Sequence, residues 1–381
     1  MNYKNQMLLV LLVAALFSWT ACSEGGSDSE EPNNTIEEAK EMDLDKAQIF
    51  TIQPKGDHDW FKVKAPEEGY LKVAASNVPD NLDLVFRVAL HQEWEGKTAK
   101  FISKHRTVPG AVMLTEGGEY YVLVHQNYDD NTSEQEMQLK ITHLPQFDKT
   151  EPNNSPENVA EVKLGESFPI AIFPLEDVDF YKFTTEEEGY IRLMTKDVPK
   201  AITPVFQVSL YDEWSEPKLK ELKSWTEFPG AFYAKEPGDY YIKITDDYND
   251  ASSEQMFDIR SEFLAQNDTL EPNEKLVDAS EAKRGDTLRM AIFPMGDTDL
   301  YKISSEDGTA FKISAKDVKG IKLVALLHVR NPDDNNKLKS VGSWEEIPHE
   351  FDVEPDKEYF IKFADDYNDA ASYELFEVRI E

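Results

Sequence analysis

The chain contains a single cysteine, Cys22. A secreted protein with one thiol has no disulfide framework to staple its domains. Basic residues are also scarce. Forty Lys and Arg stand against 74 Asp and Glu, which leaves a net charge of −34. The acid excess is spread along the chain rather than gathered in a tail. Such a surface repels nucleic acid, whose phosphates need clustered Lys and Arg, and it repels anionic lipid headgroups. It attracts cations and favours solubility. Catalytic signatures are missing as well. No Gly-x-Ser-x-Gly occurs, and no Walker or dinucleotide-binding glycine loop. No His-Glu-x-x-His occurs, and the seven histidines are scattered along the sequence, which argues against zinc.

What is present points outward from the cell. Lys4 precedes an apolar stretch from Met7 to Phe17, eleven residues and too short to span a bilayer. A small residue, Ala21, then precedes Cys22. Residues 1–21 resemble a bacterial lipoprotein signal peptide, with Cys22 as the lipidated mature N-terminus. Several acyl chains, each methylene contributing about 0.8 kcal/mol, anchor a protein stably. The acidic, glycine- and serine-rich tether over 22–30 resembles the segment after the cysteine in surface-exposed lipoproteins of Bacteroidetes. The resemblance implies an outer-membrane, surface-exposed position with contact to the membrane through the lipid only. An ordinary signal peptide followed by a free thiol is the alternative.

The remainder repeats. Glu-Pro-Asn begins at Glu31, Glu151 and Glu271, a spacing of 120 residues each time. Each copy continues through Asp-x-Asp (Asp57/Asp59, Asp177/Asp179, Asp297/Asp299), an aromatic pair (Tyr120-Tyr121, Tyr240-Tyr241, Tyr359-Phe360) and an acidic loop around Tyr128, Tyr248 or Tyr367. Units this long each hold their own core, so the pattern is a string of domains rather than a solenoid. The expected boundaries are 31–149, 150–269 and 270–381. Hydrophobic residues make up 40% of the chain, enough for three packed cores.

Period-two alternation marks strands in every unit. In the second they are expected over 168–173, 180–183, 190–194, 205–211, 240–244 and 256–259. The spacing of these strands predicts an all-β fold of three tandem antiparallel β-sandwiches. Helix is expected only as one short piece per unit, with a capping box at Thr35 to Glu38 and Ser155-Pro156 opening another.

Glu31-Pro32-Asn33-Asn34, then Gly56-Asp57-His58-Asp59-Trp60-Phe61, then Gly118-Glu119-Tyr120-Tyr121 resemble the bacterial pre-peptidase C-terminal domain. That family is a compact, jelly-roll-like sandwich, similar to collagen-binding domains of clostridial collagenases. The resemblance runs three times over 31–381 and implies an accessory or binding role, since no room is left for a peptidase. It also implies calcium, which some relatives bind through the opening segment and the Asp-x-Asp turn. The matching residues are Glu31, Asn33, Asn34, Asp57 and Asp59; Glu151, Asn153, Asn154, Asp177 and Asp179; and Glu271, Asn273, Glu274, Asp297 and Asp299. Calcium takes six to eight hard oxygen ligands, which these side chains supply. The calcium-binding relatives carry a further carboxylate two residues before the Glu, where Ser29, Lys149 and Thr269 stand here. Lys149 therefore argues against the second site. The alternative is that these Asx residues cap turns.

Two further features compete with plain structural readings. The oxygen-rich loop at Asp365-Asp366-Tyr367-Asn368-Asp369 is either a second cation site or a polar hairpin loop. Trp94, Trp214, Trp225 and Trp344 either stack on sugar rings or pack in half-buried positions. The reading favoured by the sequence is a non-catalytic adhesion module for an extracellular glycan or protein. A scaffold subunit of an envelope complex comes second. A polysaccharide-acting enzyme is the distant third, since paired carboxylates need only meet in space.

Overall fold

A computed structural model describes residues 31–94, 96–213 and 218–381. The expected signal peptide, Cys22 and tether lie outside the described residues. The first compact unit ends at Pro145 and the second covers Gln146–Glu381. The linker residues 146–149, which the repeat spacing groups with the first domain, thus belong to the second unit.

Among the described residues, ten strands build the first unit: β1 Lys40–Glu41, β2 Ala47–Ile52, β3 His58–Ala65, β4 Gly69–Ser76, β5 Leu84–Trp94, β6 Lys97–Phe101, β7 Arg106–Thr107, β8 Gly110–Leu114, β9 Gly118–Gln126 and β10 Ser133–Pro145. They form two sheets, β1-β3-β9-β5-β6 with β7 on β5, and β2-β10-β4-β8. From β2 to β5 the chain changes sheet at every strand, so each strand must bury one face against the opposite sheet. Phe61, Leu71, Phe86, Val122 and Leu139 meet in that interior. The second unit holds two more such sheet pairs, each with its own core around Phe206 or Phe363. The protein is therefore all-β, with three repeated sandwiches.

The helical expectation is corrected. Among the described residues only two single 3-10 turns occur, Ile36–Glu38 and Pro156–Asn158. Neither Thr35 nor Ser155 caps the backbone. The Thr35 hydroxyl donates instead to the Glu38 carboxylate at 3.0 Å. Six expected strands of the second repeat form, with ends shifted by a few residues. Leu219–Glu227 and Gly230–Ala234 are additional. The first of these carries Lys and Glu and exposes Leu222, and its register against Pro204–Tyr211 slips twice, so no clean alternation betrays it.

Within the second unit the two sandwiches share an apolar seam. Tyr190 packs edge-on against Phe293 at 5.0 Å between centroids, and Phe293 packs against Tyr373 at 5.5 Å. The linker adds polar ties. Asn267 Nδ2 donates to the Tyr373 carbonyl at 2.8 Å, and the Tyr373 hydroxyl to the Ala265 carbonyl at 2.6 Å.

One packing rule distinguishes the repeats. A Cβ placed on Gly230 would sit 2.7 Å from the Phe206 ring and 2.8 Å from the Glu227 carbonyl, so only glycine lets that ring pass. Gly110 and Phe86 repeat the arrangement. In the third repeat the same positions hold His349 and Ala325, a larger residue where the ring is gone. Gly230→Ala is expected to destabilise the second unit by about 1–3 kcal/mol. That cost should shrink in a Phe206→Ala background, because the two sites share one space. Urea denaturation of the four proteins checks both statements.

Candidate metal centres

Strand alternation aims the second Asp of each Asp-x-Asp into the sandwich. Asp59, Asp179 and Asp299 open or nearly open their strands and are fully buried. The opening segment folds onto them. The Asn33, Asn153 and Asn273 carbonyls accept from Trp60, Phe180 and Leu300 N–H at 2.9, 2.8 and 3.1 Å. Asn33 Nδ2 donates to Asp59 Oδ1 at 2.8 Å, and Asn273 Nδ2 to Asp299 Oδ1 at 2.6 Å. Each Glu is pinned by the same turn, since its Oε2 accepts the backbone N–H of Asn33, Asn153 or Asn273.

The result is three carboxylate clusters. Glu31, Asp57 and Asp59 form one, Glu151, Asp177 and Asp179 the second, and Asp268, Glu271 and Asp299 the third, with ligand atoms all within 4.8 Å of one another in each. Several of these oxygens are sealed from solvent and have no hydrogen-bond partner among the described residues: Glu151 Oε1, Asn153 Oδ1, Asp179 Oδ2, Glu271 Oε1 and Asp299 Oδ2. A buried carboxylate oxygen with no donor is costly. A hard divalent cation is the partner that matches an all-oxygen set.

Not every predicted residue faces a cluster centre. Asn34 and Asn154 are exposed and donate to Glu31 and Glu151 Oε2 at 3.0 and 2.9 Å, so they position the Glu. Glu274, in the matching place, lacks that amide. Asp57, Asp177 and Asp297 each accept a backbone N–H four residues earlier, from Gln53, Phe173 and Phe293 at 2.7, 2.9 and 2.9 Å. Asp177 and Asp297 serve the turn with both oxygens, since the second one accepts Val178 or Thr298 N–H at 3.0 and 2.7 Å.

Two site residues were missed. Asp148 and Asp268 lie three residues before Glu151 and Glu271, one place earlier than the position where Lys149 and Thr269 stand. Both are buried. Asp148 Oδ2 accepts Ala171 N–H and Asp268 Oδ2 accepts Ala291 N–H, each at 2.8 Å. Lys149 is exposed, so it does not oppose a cation there.

Burial raises these carboxyls. Glu151 is pushed up to about 7, with the Asp148 charge adding to the effect. Glu271 is pushed up to about 8 and Asp297 to about 7, again by burial first. Asp177, Asp179 and Asp299 stand well above the usual carboxylate range, through burial and then through neighbouring carboxylates.

The other expectations resolve differently. Asp365 clasps its own loop, accepting Lys322 N–H at 2.8 Å and Ala370 N–H at 3.1 Å, and Asp246 does the same from Thr203 and Ala251. The loop is not the expected hairpin, because the strands it joins, Lys357–Asp365 and Ser372–Ile380, lie in opposite sheets. Trp344 is exposed. Trp214 lies outside the described residues, as do the side chains of Trp94 and Trp225. The scattered histidines are not all separate in space: His58 and His125 meet Asp129 in the first unit.

A carboxyl raised in the fold favours the protonated folded state. Its contribution is complete below the unfolded value near ~4 and is lost as pH rises through the folded value. The metal-free protein is therefore expected to lose melting temperature as pH rises from about 4.5 to about 8, the upper end being set by Glu151 and Asp297 at about 7 and Glu271 at about 8. Asp299→Asn should raise the metal-free melting temperature at pH 8, because it removes the cost of burying a carboxyl that is ionised in the unfolded chain. Calorimetry in chelator across that pH range checks both; a flat profile contradicts the burial argument.

No known family profile matches the chain, and no curated protein matches it. Among solved structures it is similar to the pre-peptidase C-terminal domain of a collagenase from Bacillus anthracis. Identity is 17% over 29% of this chain and 100% of that one, with a TM-score of 0.22. The CUB1-EGF-CUB2 domains of rat MASP-1 match at 11% identity over 57% of this chain and 99% of that one, with a TM-score of 0.17.

Proposed function

We propose that this protein is a non-catalytic lipoprotein of the outer-membrane surface, anchored through Cys22, whose three pre-peptidase-C-terminal-like sandwiches bind an extracellular polymer, glycan or protein. The observation that carries the reading is the exposure of Tyr128, Tyr248 and Tyr367, at 82%, 84% and 85%. All three stand at the same place in the acidic loop of their repeat. In the second and third repeats the Asp246 and Asp365 carboxylates hold that loop. In the first, Gln126 Oε1 takes over, accepting Asp83 N–H at 2.7 Å. A ring presented on a fixed loop gives contact area at low entropic cost. Three such modules on one tether gain avidity from linkage.

Calcium fits this reading as a structural ion. Glu151 with Asp177 and Asp179, and Glu271 with Asp268 and Asp299, would hold it, supplying carboxylate oxygen to a hard cation. Because Asp268 sits in the linker, cation binding there also ties that linker to the sandwich after it. A scaffold role in an envelope complex is the second reading, favoured by the Tyr190–Phe293–Tyr373 seam, which holds two sandwiches together.

The protein from residue 23 onward, probed on glycan and matrix-protein arrays with calcium and with EDTA, tests the proposal. The triple variant Tyr128→Ala, Tyr248→Ala, Tyr367→Ala is expected to lose binding, and each single variant to lose less than the triple. Loss of binding in EDTA would give the ion a functional part. No binding on either array would favour the scaffold reading.

A further inference from the structure

Among the described residues, the first repeat carries a His–Asp cluster that the other two lack. His58 lies between Asp57 and Asp59 in sequence, so the alternation that sends Asp59 inward sends His58 to the opposite face of β3. There it stands directly across from His125 on β9. The two rings are 4.9 Å apart between centroids, and the exposed His105 ring, just before β7, is 5.3 Å from His125. Asp129 reaches the same point from the loop after β9. Its backbone has φ 52°, a left-handed conformation that turns the loop back over the sheet.

The separations suit a shared ion better than direct pairing. Asp129 Oδ1 is 3.6 Å from His58 Nε2 and 3.4 Å from His125 Nδ1. Both exceed the hydrogen-bond range of about 2.7–3.2 Å. Two donors at about 2.0–2.2 Å from one tetrahedral ion stand about 3.3–3.6 Å apart. His58 Nε2 and Asp129 Oδ1 are closed off from solvent and have no hydrogen-bond partner among the described residues. His125 Nδ1 also lies 2.8 Å from the Gln126 carbonyl, a contact that ligation through Nδ1 would replace.

The fold does not require imidazoles here. In the third repeat the cross-strand pair is Thr298 and Ala364. In the second, Val178 and Thr245 occupy the matching positions, and Asn249 and Asn368 stand where the first repeat has Asp129. Three sandwiches of one topology thus differ by a set of nitrogen and carboxylate donors gathered in a single one.

We propose that His58, His125 and Asp129 bind one late first-row divalent ion of the zinc or copper(II) class, with His105 as a further donor. Two imidazoles and one carboxylate are a borderline donor set that prefers these ions to calcium. The site is separate from the all-oxygen clusters, and it fixes the loop that presents Tyr128.

Isothermal titration of the protein from residue 23 with zinc, and separately with copper(II), tests this, with cobalt(II) as a spectroscopic probe. The double variant His58→Thr, His125→Ala copies the third repeat's pair and so preserves a pairing the fold already uses. Asp129→Asn copies the second repeat. The wild type should bind one equivalent of zinc or copper(II) at micromolar concentration and develop visible cobalt bands. The double variant should lose at least about tenfold in affinity, together with those bands, and Asp129→Asn should weaken binding. Far-UV circular dichroism and the response to calcium should stay as in the wild type. Absence of binding below millimolar metal, or undiminished binding by the double variant, would overturn the site.

Discussion

Each sandwich is organised around one awkward side chain: an aspartate that strand alternation directs into the interior. Asp59, Asp179 and Asp299 are fully buried, and an ionised carboxylate so placed must be met by donors or a cation. The surrounding structure meets that demand. The Glu-Pro-Asn segment folds back so that its Asn amide reaches the aspartate. The turn before the strand spends the first Asp of the pair on backbone N–H groups. In the second and third sandwiches Asp179 Oδ2, Asp299 Oδ2 and the Oε1 atoms of Glu151 and Glu271 are buried with no hydrogen-bond partner among the described residues. The repeat motif marks this one mouth of the sandwich, which is why it recurs at a fixed spacing while the rest of each unit drifts.

The same demand reaches the linkers. Asp148 and Asp268 bridge from the connecting segments to the backbone of the following sandwich. In the second unit this joins a seam of Tyr190, Phe293 and Tyr373. Linker order and carboxylate compensation are therefore coupled. An ion at the cluster would neutralise the charge and hold the connection with the same contacts.

Much of this was legible in the sequence. Alternation around Phe180 to Phe183 and Val205 to Tyr211 gave the strands, and the repeat gave the sandwich count. Glu151, Asn153 and Asp179 were identifiable because motif and alternation agree on them. Asp148 and Asp268 were not, because the reference position was two residues before the Glu and a bend in the linker delivers the carboxylate from three. Leu219–Glu227 was hidden because an edge strand with bulges has no clean period. His58 and His125 are far apart in the chain, and only the β3–β9 register brings them opposite each other. The capping box at Thr35 failed because the turn there is a single 3-10 turn, and the Thr hydroxyl found the Glu38 side chain instead of the backbone.

If the buried carboxylates are cation sites rather than turn caps alone, the chelator-treated protein should take up calcium. Calcium titration of the chelator-treated protein, read by isothermal calorimetry, tests it most directly. Expected is saturable binding with a dissociation constant of about 0.1–1 mM, as for extracellular modules, at a stoichiometry of up to one ion per sandwich, and lower stoichiometry in Asp179→Asn and Asp299→Asn. Binding that never saturates, or that is unchanged in those variants, would reduce the clusters to turn-capping carboxylates.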